Sequence, residues 1–378
     1  MTALQVDHAS VLPATSERLR SLDGLRGLAA VTVVIGHARL VVLQNDPSDL
    51  FEFPVIAEVV ALLGTLGAHA VWLFFVLSGL VLSRMMLATK DFDYGSYVLG
   101  RLARLYIPVW AAVAFTFVTM LVASRDTQGL GDWVDAHPAS FMPWAVINDL
   151  TLVGGASSNL SPLWSLRWEV LFSLLLILYV AVMRKIPPAA GVALSIVLCV
   201  IGQRTGNQVL MFMAMFAVGA ALAFAWDRLT ELRDSLEARM RGFGVLHVAA
   251  TLVAVLLIFA LQMLPMLLRP LEISAPTMGM IDMSATLVAL AAAIVLVGLA
   301  RPLVATFEAR PLQWLGTVSF SLYLVHEPVL LFFVYTFRAN PVAVVVGLVL
   351  CFPIAQLFFW AIEKPSHRFS RRFKRVTP

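Results

Sequence analysis

Arg26 and His37 stand eleven residues apart in a stretch apolar enough to cross a membrane. At about 100° and about 1.5 Å per residue, eleven helical steps return to within about 20° of the starting direction and climb about 16 Å. A helix here would carry a guanidinium near one end and an imidazole near the other, on a single stripe. Ionisable groups at membrane depth are costly and face an interior or a water-filled path, so the stripe points to a site. Taken singly, Arg26 could mark one end of the helix and His37 could be a hydrogen-bonded packing residue; the shared stripe argues for chemistry.

Other polar groups fall within reach. Glu169 lies about seven residues below the surface that His37 also approaches. A carboxylate in hydrocarbon needs a partner; paired with His37 it would make the imidazole a better base, and paired with Arg167 or Arg39 it would be a structural bridge. Ser319, Tyr323 and His326 fall at i, i+4 and i+7, one helical face, either lining a channel or knitting two helices together. Phe74, Phe75, Ser78 and Gly79 set an aromatic pair beside two small residues that let a backbone or a thin ligand chain approach. Arg101 and Arg104, at i and i+3, suit a helix at the membrane interface. They can bind phosphates bidentately, or serve as topology determinants that bind anionic lipid.

The elements that position these groups follow from composition. With 60% hydrophobic and 13% charged residues and a mean hydropathy of +0.87, the 378-residue chain lies outside the soluble globular range. It reads as an all-α, polytopic transmembrane helix bundle in one integral domain, 23–365, between a polar tail, 1–22, and a basic tail, 366–378. Segments able to cross about 30 Å of hydrocarbon fall at 24–43, 67–88, 105–123, 162–183, 188–203, 207–226, 243–263, 281–300, 313–337 and 341–362. The polar break from Gln203 to Asn207 is narrow, so a nine-span count is the alternative. Basic residues test it. With the N-terminus inside, the cytoplasmic side collects Arg18, Arg20, Arg84, Lys90, Arg101, Arg104, Arg184, Lys185, Arg228, Arg233, Arg239, Arg241, Arg301, Arg310 and the tail from Lys364 to Arg375; the outer loops hold Arg125, Arg204, Arg269 and Arg338. Ten spans with both termini cytoplasmic is the expectation, and the net charge of +4 needs no nucleic acid. The bilayer is the expected partner. Cys199 and Cys351, each inside a span, give neither a disulfide framework nor a zinc spacing, and no metal is expected. The polar stretch from Ser124 to Ser161, with Trp133 and Trp144, is either an external substrate wall with a short interfacial helix or a connecting loop.

These motifs carry a resemblance. The run Leu22-Asp23-Gly24-Leu25-Arg26-Gly27-Leu28-Ala29-Ala30 continuing to His37, Phe74-Phe75-Val76-Leu77-Ser78-Gly79, Arg101 to Pro108, Pro162-Leu163-Trp164-Ser165-Leu166-Arg167-Trp168-Glu169, Ser319 to His326, and Glu363-Lys364-Pro365 occur in the order found in the acyltransferase family 3 integral membrane O-acyltransferases. The match extends from about residue 20 to 370. The resemblance implies transfer of an acyl group, commonly acetyl from acetyl-CoA, to a hydroxyl of an exported sugar, polysaccharide, lipopolysaccharide or glycosylated small molecule. It implies that His37 is the catalytic histidine, Arg26 its companion and Glu169 the acidic position. Two departures matter: Glu169 is followed by Val170 where some relatives pair two acids, and this chain ends at Pro378 without the SGNH hydrolase-like domain that some relatives append.

Together these readings set the donor's phosphates near Arg26, Arg101 and Arg104, and its pantetheine arm past Ser78, Gly79, Ser319, Tyr323 and His326. They set the thioester at His37, oriented by Glu169, with Trp164, Ser165 and Tyr323 as acceptor or oxyanion candidates. The expected home is the bacterial cytoplasmic (inner) membrane. The alternative is a transporter or flippase using the same Arg, His and Glu groups as a solute or proton path.

Overall fold

The computed structural model describes residues 19–42, 66–125, 129–239, 244–338 and 340–373. Most of the expected N-terminal tail, Arg241 and the chain from residue 374 onward lie outside them. Among the described residues there are ten helices long and apolar enough to span a membrane, and no strand. They are α1 (Arg20–Val42), α2 (Gly67–Ala88), α3 (Tyr94–Val122), α4 (Leu163–Met183), α5 (Pro188–Thr205), α6 (Gln208–Arg239), α7 (Gly244–Gln262), α8 (Ala275–Leu299), α9 (Arg310–Phe337) and α10 (Pro341–Phe358). The narrow break at Gln203 to Asn207 separates two helices. Gly206, at φ 68°, takes the left-handed conformation that ends α5, and the Asn207 side chain accepts from the Leu210 N–H to start α6.

Several spans run further than hydropathy predicts, among them α6, which continues past 226 to Arg239, and two of the extensions matter for the site. α3 begins at Tyr94, because Asp93 caps it by accepting from Ser96 N (3.2 Å) and Ser96 Oγ (2.5 Å). The interfacial segment holding Arg101 and Arg104 is therefore the first turns of the span itself. α10 passes through a π turn, Phe359–Glu363, into a last helix, Lys364–Ser370, which packs on α3. The π turn widens the helix at a site-lining position, the usual place for such a feature.

In lipid, apolar burial does not by itself drive helices together, so close backbone approach and polar bonds must. α1 packs chiefly on α9, and the crossing is made by Gly27 and Gly316: a Cβ on Gly27 would lie 2.4 Å from Gly316 N, and one on Gly316 would lie 2.2 Å from Asp23 O. α2 crosses α6 in the same way, a Cβ on Gly79 meeting Phe216 O at 2.1 Å and one on Gly219 meeting Val76 O at 1.9 Å. Gly79 thus belongs to a helix crossing, a correction to its expected place along a ligand path. The two crossings bring α1, α2, α6 and α9 together; α9 is 78% buried over its apolar window and α7 only 6%. Site residues can come from the former, while α7 presents its surface to lipid.

Candidate active site

A cavity of about 590 Å³ opens at the end of the bundle where α1, α3 and α9 begin. Its walls carry six cations, Arg26, Arg101, Arg104, Lys364, Arg368 and Arg371, against three carboxylates, Asp23, Glu169 and Glu363. Two of those carboxylates, Glu169 and Glu363, make contacts that fix them in the wall. Glu169 pairs with Arg101 and accepts from Ser78 Oγ (3.2 Å); Glu363 accepts from Ser321 N (3.1 Å) and Ser321 Oγ (2.5 Å). Among the described residues, Arg26, Lys364, Arg368 and Arg371 have no carboxylate within ion-pair distance. The mouth therefore stores positive charge, a preformed site for a polyanion.

Deeper in, the walls turn apolar through Val71, Phe74, Phe75, Leu166 and Phe320, with Ser319 beside them, and the cavity ends at Ser165 and Tyr323. These two hydroxyls stand 2.7 Å apart, and each lies within hydrogen-bond distance of the Pro162 carbonyl, at 3.1 and 3.0 Å. Two protons serve three contacts, so either hydroxyl can donate to a ligand only by turning away from the other or from Pro162.

His37 lies one layer beyond. The Tyr323 ring is 5.9 Å from that of His326, and His326 Nε2 is 2.7 Å from His37 Nδ1. His326 Nδ1 faces the Leu322 carbonyl at 3.1 Å. A carbonyl only accepts, so neutral His326 carries its proton on Nδ1 and its Nε2 accepts from the N–H at His37 Nδ1. His37 Nε2 is left with the free lone pair, the state of a general base. Trp133 stacks on the same imidazole, centroids 5.5 Å apart. Its short helix, Asp132–Asp135, is held by Tyr335 OH donating to Val134 O (2.8 Å).

The segment predicted to follow α3 thus forms two short helices, Asp132–Asp135 and Pro143–Thr151. They rest on a buried polar network in which Asp149 accepts from Ser157 N (2.7 Å) and Ser157 Oγ (2.6 Å), and Arg125 Nη1 donates to Asn159 O (3.0 Å). Burial pushes the Asp149 carboxyl up, opposed by Ser157. Burial lowers the Arg125 guanidinium, opposed by the facing Glu327. Glu327, fully buried next to His326, accepts from Ser161 N (2.7 Å) and Ser161 Oγ (2.5 Å).

Several expectations change here. Glu169 does not pair with His37, nor with Arg167 or Arg39: α4 packs on α6, α2 and α3 and turns Glu169 toward Arg101, while Arg167 covers the Trp168 ring at 4.2 Å. His326 is a partner of His37 rather than a wall of the cavity. Trp164 packs against Phe75 (6.1 Å) and Phe212 (5.1 Å), outside the cavity lining. Arg26, Arg101, Arg104, Ser78, Ser319, Tyr323 and Ser165 do gather around one space. Glu327, Arg368 and Arg371 went unrecognised as site residues, and Trp133 was read only as part of a stretch that would form either an external substrate wall or a connecting loop; for Glu327 the signal was a carboxylate inside an apolar run. Among the described residues no group of three or more His, Cys, Asp or Glu is placed to hold a metal ion.

Comparison with known proteins gives the same direction. The family model described as an acyltransferase domain, of the acyltransferase 3 type, matches residues 19–360. The chain is similar to "Putative peptidoglycan O-acetyltransferase YrhL" of Bacillus subtilis (strain 168), 25% identical over 386 residues, 93% of this chain and 56% of that protein. It is also similar to "Acyltransferase MdmB" of Streptomyces mycarofaciens, 29% identical over 196 residues, 49% of this chain and 47% of that protein. The chain spans about half the length of these curated relatives. No solved structure matches it.

Proposed function

The chain belongs to the acyltransferase 3 family of membrane proteins, and on that premise we propose that it moves an acyl group, acetyl first among candidates, from acyl-CoA to a hydroxyl of an exported sugar, polysaccharide, lipopolysaccharide or glycosylated small molecule. It works in the bacterial cytoplasmic membrane with both termini and the basic mouth facing the cytoplasm, where acyl-CoA is found. One observation carries the reading: six cations face three carboxylates around a cavity whose inner walls are apolar and whose Tyr323 lies one ring short of a histidine pair.

The phosphates of coenzyme A carry about four negative charges, which offset the excess at Arg26, Arg101, Arg104, Lys364, Arg368 and Arg371. The pantetheine arm is a thin chain of aliphatic links joined by two amides, and it suits the passage past Phe74, Phe75 and Ser319, which offers apolar rings with a hydroxyl beside them. Phe74 and Tyr323, edge to face at 6.1 Å, close its inner end, so the thioester meets His37 when these rings turn aside. The acceptor oxygen then adds to the thioester carbonyl while its proton passes to His37 Nε2. The C–S bond breaks, and the thiolate leaves with that proton. Positive charge on His37 spreads through Nδ1 to His326. Tyr323 and Ser165, released from Pro162, donate to the developing oxyanion.

Labelled acetyl-CoA given to inside-out vesicles containing the cell's own envelope glycan separates this from transport. Covalent label on glycan or glycoside, lost with His37→Ala at unchanged protein abundance, supports transfer. Movement of solute without covalent label would favour a transporter and overturn the reading.

A further inference from the structure

The carboxylate expected to support His37 is committed elsewhere, to Arg101 and Ser78. A buried base still gains from a nearby negative charge, because the imidazolium formed during proton transfer is otherwise desolvated and unpaired. We propose that Glu327, not Glu169, is the positioning carboxylate of the His37 and His326 pair, anchored by Ser161 and stabilising the positive charge the pair acquires during transfer. This rests on the reading of His37 as the base.

Three observations support it. Glu327 is completely buried and adjoins His326 on α9, and His326 in turn is joined to His37 at 2.7 Å. Both of its oxygens are held, Oε1 by Ser161 N at 2.7 Å and Oε2 by Ser161 Oγ at 2.5 Å, so its position is set from the segment that enters α4. The same segment supplies the Pro162 carbonyl that Tyr323 and Ser165 share, so Glu327 ties the base to the hydroxyl pair. Close by is Arg125, 5% exposed, whose Nη1 is bound to Asn159 O and whose Nη2 is buried without a hydrogen-bond partner among the described residues. Arg125 faces Glu327 and tempers its charge.

The groups facing the histidine pair are Glu327 and Tyr323 on α9, His137 and Trp133 from the segment after α3, and Cys351 on α10, whose Sγ is 3.7 Å from His326 O. Glu327→Gln keeps the shape and removes the charge, making the imidazolium harder to form. With labelled acetyl-CoA and the cell's own envelope glycan in inside-out vesicles, kcat should fall on the order of tenfold, and the rise of activity with pH should move about one unit lower. The KM for acetyl-CoA should stay within about twofold, since Glu327 lies away from the cation-lined mouth. Ser161→Ala, which keeps the charge, should leave the pH limb in place. Arg125→Gln, which removes the tempering cation, should move the limb the other way, and it decides the matter should Glu327→Gln not accumulate.

An unmoved limb in either charge variant overturns the proposal, as does activity loss confined to lower protein abundance. Transfer by His37→Ala would instead break the functional reading; an inactive His37→Ala beside an unshifted Glu327→Gln breaks this inference alone.

Discussion

His37 Nδ1 lies 2.7 Å from His326 Nε2, joining α1 to α9 across 289 residues of chain. The rings are nearly parallel, at 11°, with centroids 4.9 Å apart. Because Leu322 O fixes the proton on His326, the pair behaves as one base with its lone pair at His37 Nε2.

His326→Ala should leave the His37 ring free to take either tautomer, and kcat should fall about 10²- to 10⁴-fold, the range of a general-base contribution. His326→Gln offers an amide oxygen at a similar reach and should recover part of the loss. Steady-state kinetics checks both, with the KM for acetyl-CoA expected within about twofold of the parent. A His326→Ala enzyme of normal kcat would detach His326 from the base.

Glu169 sits with Arg101 in the wall of the cavity, so Glu169→Gln should act on donor binding rather than on proton transfer. The expected result is a severalfold change in KM for acetyl-CoA with a smaller change in kcat. Glu169→Gln and Arg101→Gln should also be less than additive, since the two side chains are in contact. A shift in the pH limb with unchanged KM would return Glu169 to the role that sequence alone suggested.

The glycine crossings make a stability prediction. Gly219→Ala puts a methyl 1.9 Å from the Val76 carbonyl, a backbone atom that cannot rotate away, and should cost about 1–3 kcal/mol as overpacking. Gly244→Ala, with open space around it, is the control and should melt with the parent protein in detergent. Equal melting of the two variants would contradict the packing described for α2 and α6.

Trp133 stacks on the His37 imidazole, ring centroids 5.5 Å apart, and is absent from the cavity lining. Trp133→Ala should admit water to the base, raising thiol release from acetyl-CoA relative to label found on glycan. Thiol titration beside label counting measures the ratio; an unchanged ratio would mean that Trp133 does not shield the site.

The ten spans were legible because twenty or so apolar residues admit little else, and the Arg26 to His37 stripe because helix geometry links two positions on one element. Partners across helices were harder to read. Depth put His37 and Glu169 at a common level, but depth says nothing about direction around the bundle, and α1 packs on α9 and α2 while α4 turns Glu169 to α3. His326 was visible as part of a polar face whose opposite number could not be read. Gly79 carried the small-residue signal shared by helix crossings and ligand channels, and only the approach of Phe216 decides between them. Arg368 and Arg371 looked like a basic tail because nothing in a single sequence marks the π turn that carries the last helix back against α3.

A structure of the full chain with a non-hydrolysable thioether analogue of acetyl-CoA tests the account most directly. The account predicts phosphates against Arg26, Arg101, Arg104 and Arg371, Phe74 and Tyr323 turned aside, and the acyl carbon close enough that an oxygen about 3–3.5 Å away also meets His37 Nε2. Phosphates bound elsewhere, or an acyl group held on the near side of a closed Tyr323, would contradict it.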